Sequence, residues 1–310
     1  MIILISGING FVGKNLVNSL CKHTIYGISN NFTKNNAINQ IYLWHEINKL
    51  TSIDVVIHLA GKAHDTENRS KAQEYFDVNT ALTQIIFDWF LKSEAKKFIF
   101  FSSVKAVTDD IQGILTEDVI PNPGTPYGES KLKAEEYVKK SWDYAVNELN
   151  KQIYILRPCM IHGSGNKGNL NLLYKMVRKG IPWLLGAFNN QRSFISIDNV
   201  SYIISQLIEQ DIASGIYNLA DDEPLSTNEV IQIMCDVMSC KCKILHINKK
   251  LMTNIAILGD ILPFPLNQER LKKLTQDFVV SNEKIKKALS VDSLPLTAKE
   301  GLIKTISSFK

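Results

Sequence analysis

The stretch Ile2-Ile3-Leu4-Ile5-Ser6-Gly7-Ile8-Asn9-Gly10-Phe11-Val12-Gly13 decides how the rest of the chain is read. Residues 2–6 form a short apolar run that stops at Gly7, which predicts a buried strand. From Phe11 to Leu20 the apolar residues recur at helical spacing, so the chain passes from strand to helix through one glycine turn. Glycines let such a turn close sharply and bring the backbone near an anion. The N–H groups at the start of the helix then face that anion. Glycine turns between strands and helices are common. The position of this one, at the first strand–helix junction, points to the pyrophosphate of a dinucleotide. Gly7, Gly10, Phe11, Val12 and Gly13 are its candidate contacts.

Moving outward, the alternation continues. Thr24–Ile28 reads as a second strand, Asp54–Leu59 as a third and Lys97–Phe101 as a fourth, with a helix over Ala72–Phe90 between the last two. A helix is expected from about Tyr127 to Leu149, then a strand over Gln152–Leu156 closed by Arg157-Pro158. Strands alternating with helices predict an α/β fold, a Rossmann-type doubly wound parallel sheet. Residues 1–157 are expected to form its bulk, completed by part of 193–220. Beyond Pro158 the pattern becomes irregular. A glycine-rich loop spans Gly163 to Gly168. Helices are expected over Asn169–Lys179, Thr227–Met238 and Ser281–Leu289, and a short strand over Ile216–Leu219. These pieces predict a smaller C-terminal lobe, 158–310, over a substrate cleft.

Composition narrows the function. Of 310 residues, 45% are hydrophobic and 21% charged, which fits a folded domain and argues against disorder. The net charge of +4 comes without a basic run that would track a phosphate backbone, so no nucleic-acid partner is expected. No stretch approaches the roughly 18 apolar residues of a membrane helix. No membrane partner and a cytoplasmic location follow as expectations, with the five cysteines reduced. Cys235, Cys240 and Cys242 lack zinc-site spacing and a nearby histidine pair, so no metal is expected.

Two further motifs carry chemistry. In Tyr127-Gly128-Glu129-Ser130-Lys131 the phenol and the ammonium stand four residues apart on one helix face. A nearby ammonium favours tyrosinate, so such a tyrosine can exchange a proton closer to neutral pH. Phe101-Ser102-Ser103 ends a strand, and ligands of parallel sheets bind beyond the carboxyl ends of their strands. A serine hydroxyl there can hold a substrate hydroxyl or carbonyl. Each motif has a bland reading, as a surface tyrosine packed on a lysine stem or a serine satisfying a strand terminus. The three motifs together favour an enzyme over a non-catalytic NAD(P)-binding regulator, which would need only the glycine turn.

In this combination the chain resembles the extended short-chain dehydrogenase/reductase family of nucleotide-sugar 4-epimerases, 4,6-dehydratases and 4-keto-reductases. The resemblance runs nearly end to end. It implies Tyr127 as acid/base, Lys131 as its electrostatic tuner and ribose anchor, and Ser103 as orienter, with Ser102 as fallback. His58-Leu59-Ala60-Gly61 resembles the segment beside the cofactor, which implies Leu59, Ala60 and Gly61 as contacts, and Asn79 fits the asparagine of the next helix. Gly163-Ser164-Gly165-Asn166-Lys167-Gly168-Asn169 resembles the substrate loop, with Asn169 approaching the diphosphate. Arg192-Ser193-Phe194-Ile195-Ser196-Ile197-Asp198 resembles the segment whose arginine binds that diphosphate. His58 has an alternative as a buried structural histidine, Asn79 as a tie between helices and Arg192 as an ion-pair partner of Asp198. The dehydratases carry an Asp-Glu pair after the serine; Val104 and Lys105 stand here, which removes the acid and base that elimination needs.

The resemblance thus implies hydride exchange at C4 of a nucleoside-diphosphate hexose, by a 4-epimerase or a 4-keto-reductase using NAD or NADP. A homodimer is compatible with it. The second strand ends Gly27-Ile28-Ser29-Asn30-Asn31 with no carboxylate to grip ribose hydroxyls and no arginine for a 2′-phosphate. Ser29 and Asn30 are the candidate ribose contacts, Lys34 is the nearest cation, and weak discrimination between the two cofactors is expected.

Overall fold

The computed structural model describes residues 1–31, 37–63, 71–166, 168–261 and 266–309. Lys34 and Lys167 lie outside them. The first half runs β1 (Ile2–Ser6), α1 (Phe11–Ser19), β2 (Thr24–Ser29), β3 (Gln40–Leu43), a 3-10 turn at Trp44–Lys49, and β4 (Val55–His58). Next, α2 (Ala72–Tyr75) continues through a π-helical turn, Phe76–Ala81, into α3 (Leu82–Lys92). There follow β5 (Lys97–Phe101), a 3-10 turn at Val104–Ala106, β6 (Ile114–Leu115), α4 (Pro126–Lys140), a π-helical turn at Tyr144–Glu148, and β7 (Gln152–Pro158). The second half runs β8 (Met160–His162), α5 (Asn169–Arg178), β9 (Phe194–Ser196), α6 (Ile197–Glu209), β10 (Gly215–Leu219), α7 (Thr227–Val237), α8 (Lys249–Ile261), α9 (Gln268–Thr275), β11 (Val279–Val280), α10 (Glu283–Leu289) and α11 (Ala298–Ser307).

Seven strands form one sheet in the order β10-β7-β5-β4-β1-β2-β3, every pairing parallel. The central strands are apolar at successive positions because both faces are covered. Ile3, Ile5, Val55 and Ile57 pack into the core shared with α6, through Val200, Ile203, Ile204 and Leu207. Leu4, Val56, Phe98 and Phe100 point to the opposite core with Ile86, Phe87 and Phe90 of α3 and Ala134 and Val138 of α4. Strand order runs outward from β1 through β2 and β3 on one side, and from β4 through β5, β7 and β10 on the other. The reversal lies between β1 and β4, and sheets of this topology bind their ligands there, in the crevice beyond the carboxyl ends of the strands.

The doubly wound sheet is therefore as expected, with differences in its parts. The helix expected over Tyr127–Leu149 stops at Lys140 and resumes as a π-helical turn. Strand β3 had no counterpart in the expected pattern: four residues alternate too briefly to stand out. Helices α6, α8, α9 and α11 also lie where no helix was expected. A third core, built on Trp183, Phe194, Ile231, Met234, Met252 and Leu302, holds these C-terminal helices together.

Candidate active site

The crevice is built first by glycine. Gly7 has φ +70°, and a Cβ there would lie 2.7 Å from the Ala60 nitrogen, so the turn after β1 is pressed against the backbone leaving β4. A Cβ on Gly13 would meet the Gly7 carbonyl at 2.6 Å. No side chain caps the start of α1, whose N-cap is Gly10, and no acidic residue lies in its first turn. Its amides and the positive end of its dipole are left for an anion, as a dinucleotide pyrophosphate requires. At the end of β2, the Ser29 hydroxyl accepts hydrogen bonds from Asn9 Nδ2 (2.9 Å) and the Asn31 amide (3.4 Å), and Asn30 is exposed beside it. The Ser29 proton remains as a donor toward a ribose oxygen.

The wall under this crevice is a closed hydrogen-bond chain. The Ala60 amide donates to Ser6 Oγ (3.2 Å), Ser6 Oγ lies 2.6 Å from His58 Nδ1, His58 Nε2 lies 2.9 Å from Thr83 Oγ1, and Thr83 donates to the Asn79 carbonyl (2.6 Å). Because the Thr83 proton is spent on Asn79, His58 Nε2 is the donor and its Nδ1 accepts from Ser6. Burial holds His58 well below its usual pKa, with Lys131 pushing the same way. His58 is neutral here and takes the structural role, stacked between Phe98 and Phe100. Asn79 is buried and does tie two helices, through Nδ2 to Ser130 Oγ (2.9 Å). It also accepts from the Lys62 amide (2.7 Å), which fixes the segment after β4 that carries Leu59, Ala60 and Gly61.

Helix α4 presents the acid/base pair. Thr125 caps it, its hydroxyl accepting from the Gly128 amide, and Pro126 occupies the first turn. Tyr127 is half-buried beside Ser103, and its ring stands edge-on to Tyr75 at 6.3 Å. Lys131, buried one turn on, donates from Nζ to the Phe101 carbonyl (2.8 Å), and a Cβ on Gly61 would be 3.1 Å from that Nζ. Burial lowers the ammonium to about 8, with Glu135 opposing. Tyr127 behaves otherwise than the sequence suggests. Burial raises its pKa, the Ser103 hydrogen bond lowers it less, and Tyr75 adds to the rise.

Ser103 caps the short turn after β5, accepting from the Lys105 amide (3.1 Å), and faces Tyr127. Ser102 points the other way and donates to Glu135 Oε1 (2.5 Å). Glu135 is fully buried and gripped by Arg157 through Nε (2.9 Å) and Nη2 (2.6 Å). Ser103 is thus the serine on the Tyr127 side, and Ser102 the one engaged with Glu135. The Ser102–Glu135–Arg157 cluster was not anticipated, although an arginine ending the apolar run Tyr154-Ile155-Leu156 signals a buried charge in need of a partner.

The lobe side of the crevice is cationic. Arg192 is fixed through its backbone, its amide donating to the Leu225 carbonyl (3.0 Å) and its carbonyl accepting from the Leu225 amide (2.9 Å). Its guanidinium donates to the Lys273 carbonyl, and burial lowers its pKa. Asp198 pairs with Lys304 instead, which removes the alternative of an Arg192–Asp198 bridge. Lys105 stands over the Phe278 ring at 4.2 Å, and burial lowers its pKa with Arg192 acting in the same direction. The sequence reading used Lys105 only to exclude elimination; its place beside Arg192 depends on long-range packing. Asn169 is the exposed first residue of α5, behind its N-cap Gly168. Gly163 packs on Ile197 so closely that a Cβ would come within 2.3 Å of its Cγ2, which sets the start of the loop leading to Asn169.

Comparison with known proteins follows this geometry. The model of the NAD dependent epimerase/dehydratase family matches residues 3–220. A UDP-glucose 4-epimerase of Vibrio cholerae is 31% identical over 251 residues, covering 74% of this chain and 74% of that protein. An N-acetyl-alpha-D-glucosaminyl-diphospho-ditrans,octacis-undecaprenol 4-epimerase of Escherichia coli O157:H7 is 27% identical and spans 98% of this chain and 94% of its own. Among solved structures, MoeE5 in complex with UDP-glucuronic acid and NAD superposes with a TM-score of 0.78, 18% identity, and coverage of 99% and 98%, a likeness of fold.

Proposed function

Because the chain belongs to the NAD-dependent epimerase/dehydratase family, we propose that it is an NAD-dependent 4-epimerase acting on a hexose carried by a nucleoside diphosphate. One observation supports this above the others. Tyr127 stands beside Ser103, Lys105 follows Ser103 by two residues with Arg192 acting on it, and the same sheet carries a glycine turn made for a pyrophosphate. A sugar with its diphosphate on the wall of Lys105 and Arg192 would lie against the phenol.

The glycine turn with Gly7, Gly10 and Gly13, the first amides of α1 at Phe11 and Val12, the Leu59–Ala60–Gly61 segment, Asn79 and the β2 end at Ser29 and Asn30 would hold NAD. When bound, NAD supplies the hydride acceptor and donor. Tyr127 takes the proton from the sugar 4-hydroxyl and returns it when the keto sugar has turned. Ser103 holds the same oxygen and keeps the phenol oriented. Lys131, fixed on the Phe101 carbonyl, sets the field at that end of the cleft and reaches the ribose. Arg192 and Asn169 bind the diphosphate; the planar fork of an arginine suits two phosphate oxygens. We take residues 1–157 with part of 193–220 as the cofactor domain and the remainder as the substrate lobe.

Incubating the purified chain with UDP-glucose and UDP-N-acetylglucosamine, and following C4 configuration by NMR, tests this. Inversion without net change in NAD supports epimerisation. Stoichiometric consumption of a reduced cofactor with a 4-keto sugar would make the enzyme a reductase. A second reading is favoured by the relative that spans 98% of this chain, whose own substrate is a polyprenyl-diphosphate sugar. In that reading the same diphosphate wall takes a lipid-linked sugar. Inversion of a polyprenyl-diphosphate N-acetylhexosamine, with nucleotide sugars left unchanged, would select it.

A further inference from the structure

Helix α8 is apolar on two sides. Met252 and Ala256 face the lobe core. On the opposite side Leu251, Ile257, Leu258 and Ile261 are exposed by 53%, 43%, 50% and 79%. At helical spacing these four share the face turned away from Met252 and Ala256. A helix with a second apolar face is expected to have it covered. The surface continues beside α8. Residues 183–185 and 244–246 form a two-stranded ribbon, with Trp183 bridged to Ile244 and Leu185 to His246, and Leu184 and Leu245 project outward from it. Ile181, bonded through its amide to the Met176 carbonyl, joins the ribbon to α5, and Lys249 lies over the Phe188 ring at 5.6 Å. Ile181 and, on α5, Leu172 are exposed as well.

Charge identifies what covers this face. Residues 169–188 and 237–261 build it and contain Lys175, Arg178, Lys179, Lys241, Lys243, Lys249 and Lys250, against a single acid, Asp260. All seven cations are exposed. They are seven of the 35 basic residues of the chain, and the other 28 are outnumbered by the 31 acidic ones. The positive net charge of the protein is therefore concentrated here. In an isologous dimer the same patch would meet itself and set this cationic rim against its own copy. An anionic lipid surface satisfies both components, since apolar side chains enter the acyl boundary and lysines meet the headgroups.

We infer that this face of the C-terminal lobe docks on an anionic membrane surface, with the outer side of α8 and the 183–185/244–246 ribbon in contact with lipid. Among the described residues no helix is long and apolar enough to cross a membrane, so the contact is peripheral. It goes beyond the proposed reaction and holds for either carrier of the sugar.

The test is flotation of the full chain with phosphatidylcholine vesicles, with and without phosphatidylglycerol. Binding is expected only with phosphatidylglycerol and should weaken as salt is raised. The double variant Leu258→Asp/Ile261→Asp should lower partitioning by at least about tenfold, the scale of two large apolar side chains withheld from the interface. Lys241→Glu/Lys250→Glu, which alters exposed charge, should lower it in the same direction. Both variants should retain turnover of a water-soluble substrate. Absence of wild-type binding, or variants that float as well as wild type, overturns the inference. So does a vesicle-independent dimer in light scattering that both variants dissociate, since a second copy would then be the occupant.

Discussion

The two walls of the crevice treat charge differently. On the sheet side Lys131 and Arg157 are each tied to a fixed partner. Lys131 is held by the Phe101 carbonyl at 2.8 Å. Arg157 is held by both oxygens of Glu135. On the lobe side Arg192 has no carboxylate within 4 Å among the described residues, and Lys105 has only Asp109 at 3.8 Å. Charge on the first wall is consumed by the architecture. On the second, the Arg192 guanidinium donates to the neutral Lys273 carbonyl and Lys105 meets its one carboxylate at 3.8 Å, so the wall keeps the net positive charge that an anion-binding site needs. Removing a group from the first wall should therefore damage folding or chemistry, and removing one from the second should damage substrate binding alone.

The largest effect tests the first half of that contrast. Glu135→Ala strips the partner from buried Arg157 and from Ser102, and should cost about 3–5 kcal/mol in urea unfolding, the range for breaking a buried pair. A loss under about 1 kcal/mol would mean that the cluster is not a structural tie. Next comes chemistry on the same wall. Tyr127→Phe should keep dinucleotide affinity near normal while turnover falls by roughly a hundredfold or more, the scale of lost acid/base catalysis. Near-normal turnover would remove Tyr127 from the mechanism. Arg192→Ala tests the second half. It should weaken nucleoside-diphosphate binding by about 2 kcal/mol, with unfolding and dinucleotide binding unchanged. Unchanged affinity in calorimetry would assign Arg192 to structure, and a large loss of stability would erase the contrast between the walls.

The contrast also has a pH signature. Lys131 is pulled down to about 8 by burial, so its ammonium is present below that pH and lost above it. If its positive charge serves the reaction, kcat/KM of the free enzyme should fall by about tenfold per pH unit above pH 8. Lys131→Met should abolish that limb along with most activity. A flat alkaline profile to pH 10 would show that the charge on Lys131 is only structural.

How far the sequence reading reached follows the same division. In the first half the central strands are covered on both faces, so they are written as continuous apolar runs, and each glycine that must avoid a Cβ clash is visible as a glycine. Helix α6 was not expected, although Ile197, Val200, Ile203, Ile204, Leu207 and Ile208 form an i, i+3, i+4 stripe behind the Ser196 cap. In α8 apolar residues fall on two faces, which blurs the period that marks a helix. In α9 only Leu271 is buried in eight residues. The Lys105–Arg192 approach joins positions 87 residues apart through Phe278, which no local pattern encodes.

The smallest expected effect concerns the adenosine end of the cofactor. A carboxylate at the end of β2 would hold ribose hydroxyls and repel a 2′-phosphate. Here that strand ends at Ser29, whose hydroxyl already accepts from Asn9 and Asn31 and can only donate outward. A donor serves a ribose oxygen or a phosphate oxygen alike. Asn30 is exposed beside it, and no carboxylate follows in Asn30-Asn31. NAD is the cofactor of this family, yet nothing at this position penalises the extra phosphate. Calorimetric affinity for NADP should therefore lie within about tenfold of that for NAD, roughly 1.4 kcal/mol. Ser29→Asp would supply the missing carboxylate and should widen the gap in favour of NAD, by repelling the 2′-phosphate. A wild-type preference for NAD of a hundredfold or more would place the discriminating group elsewhere than the end of β2.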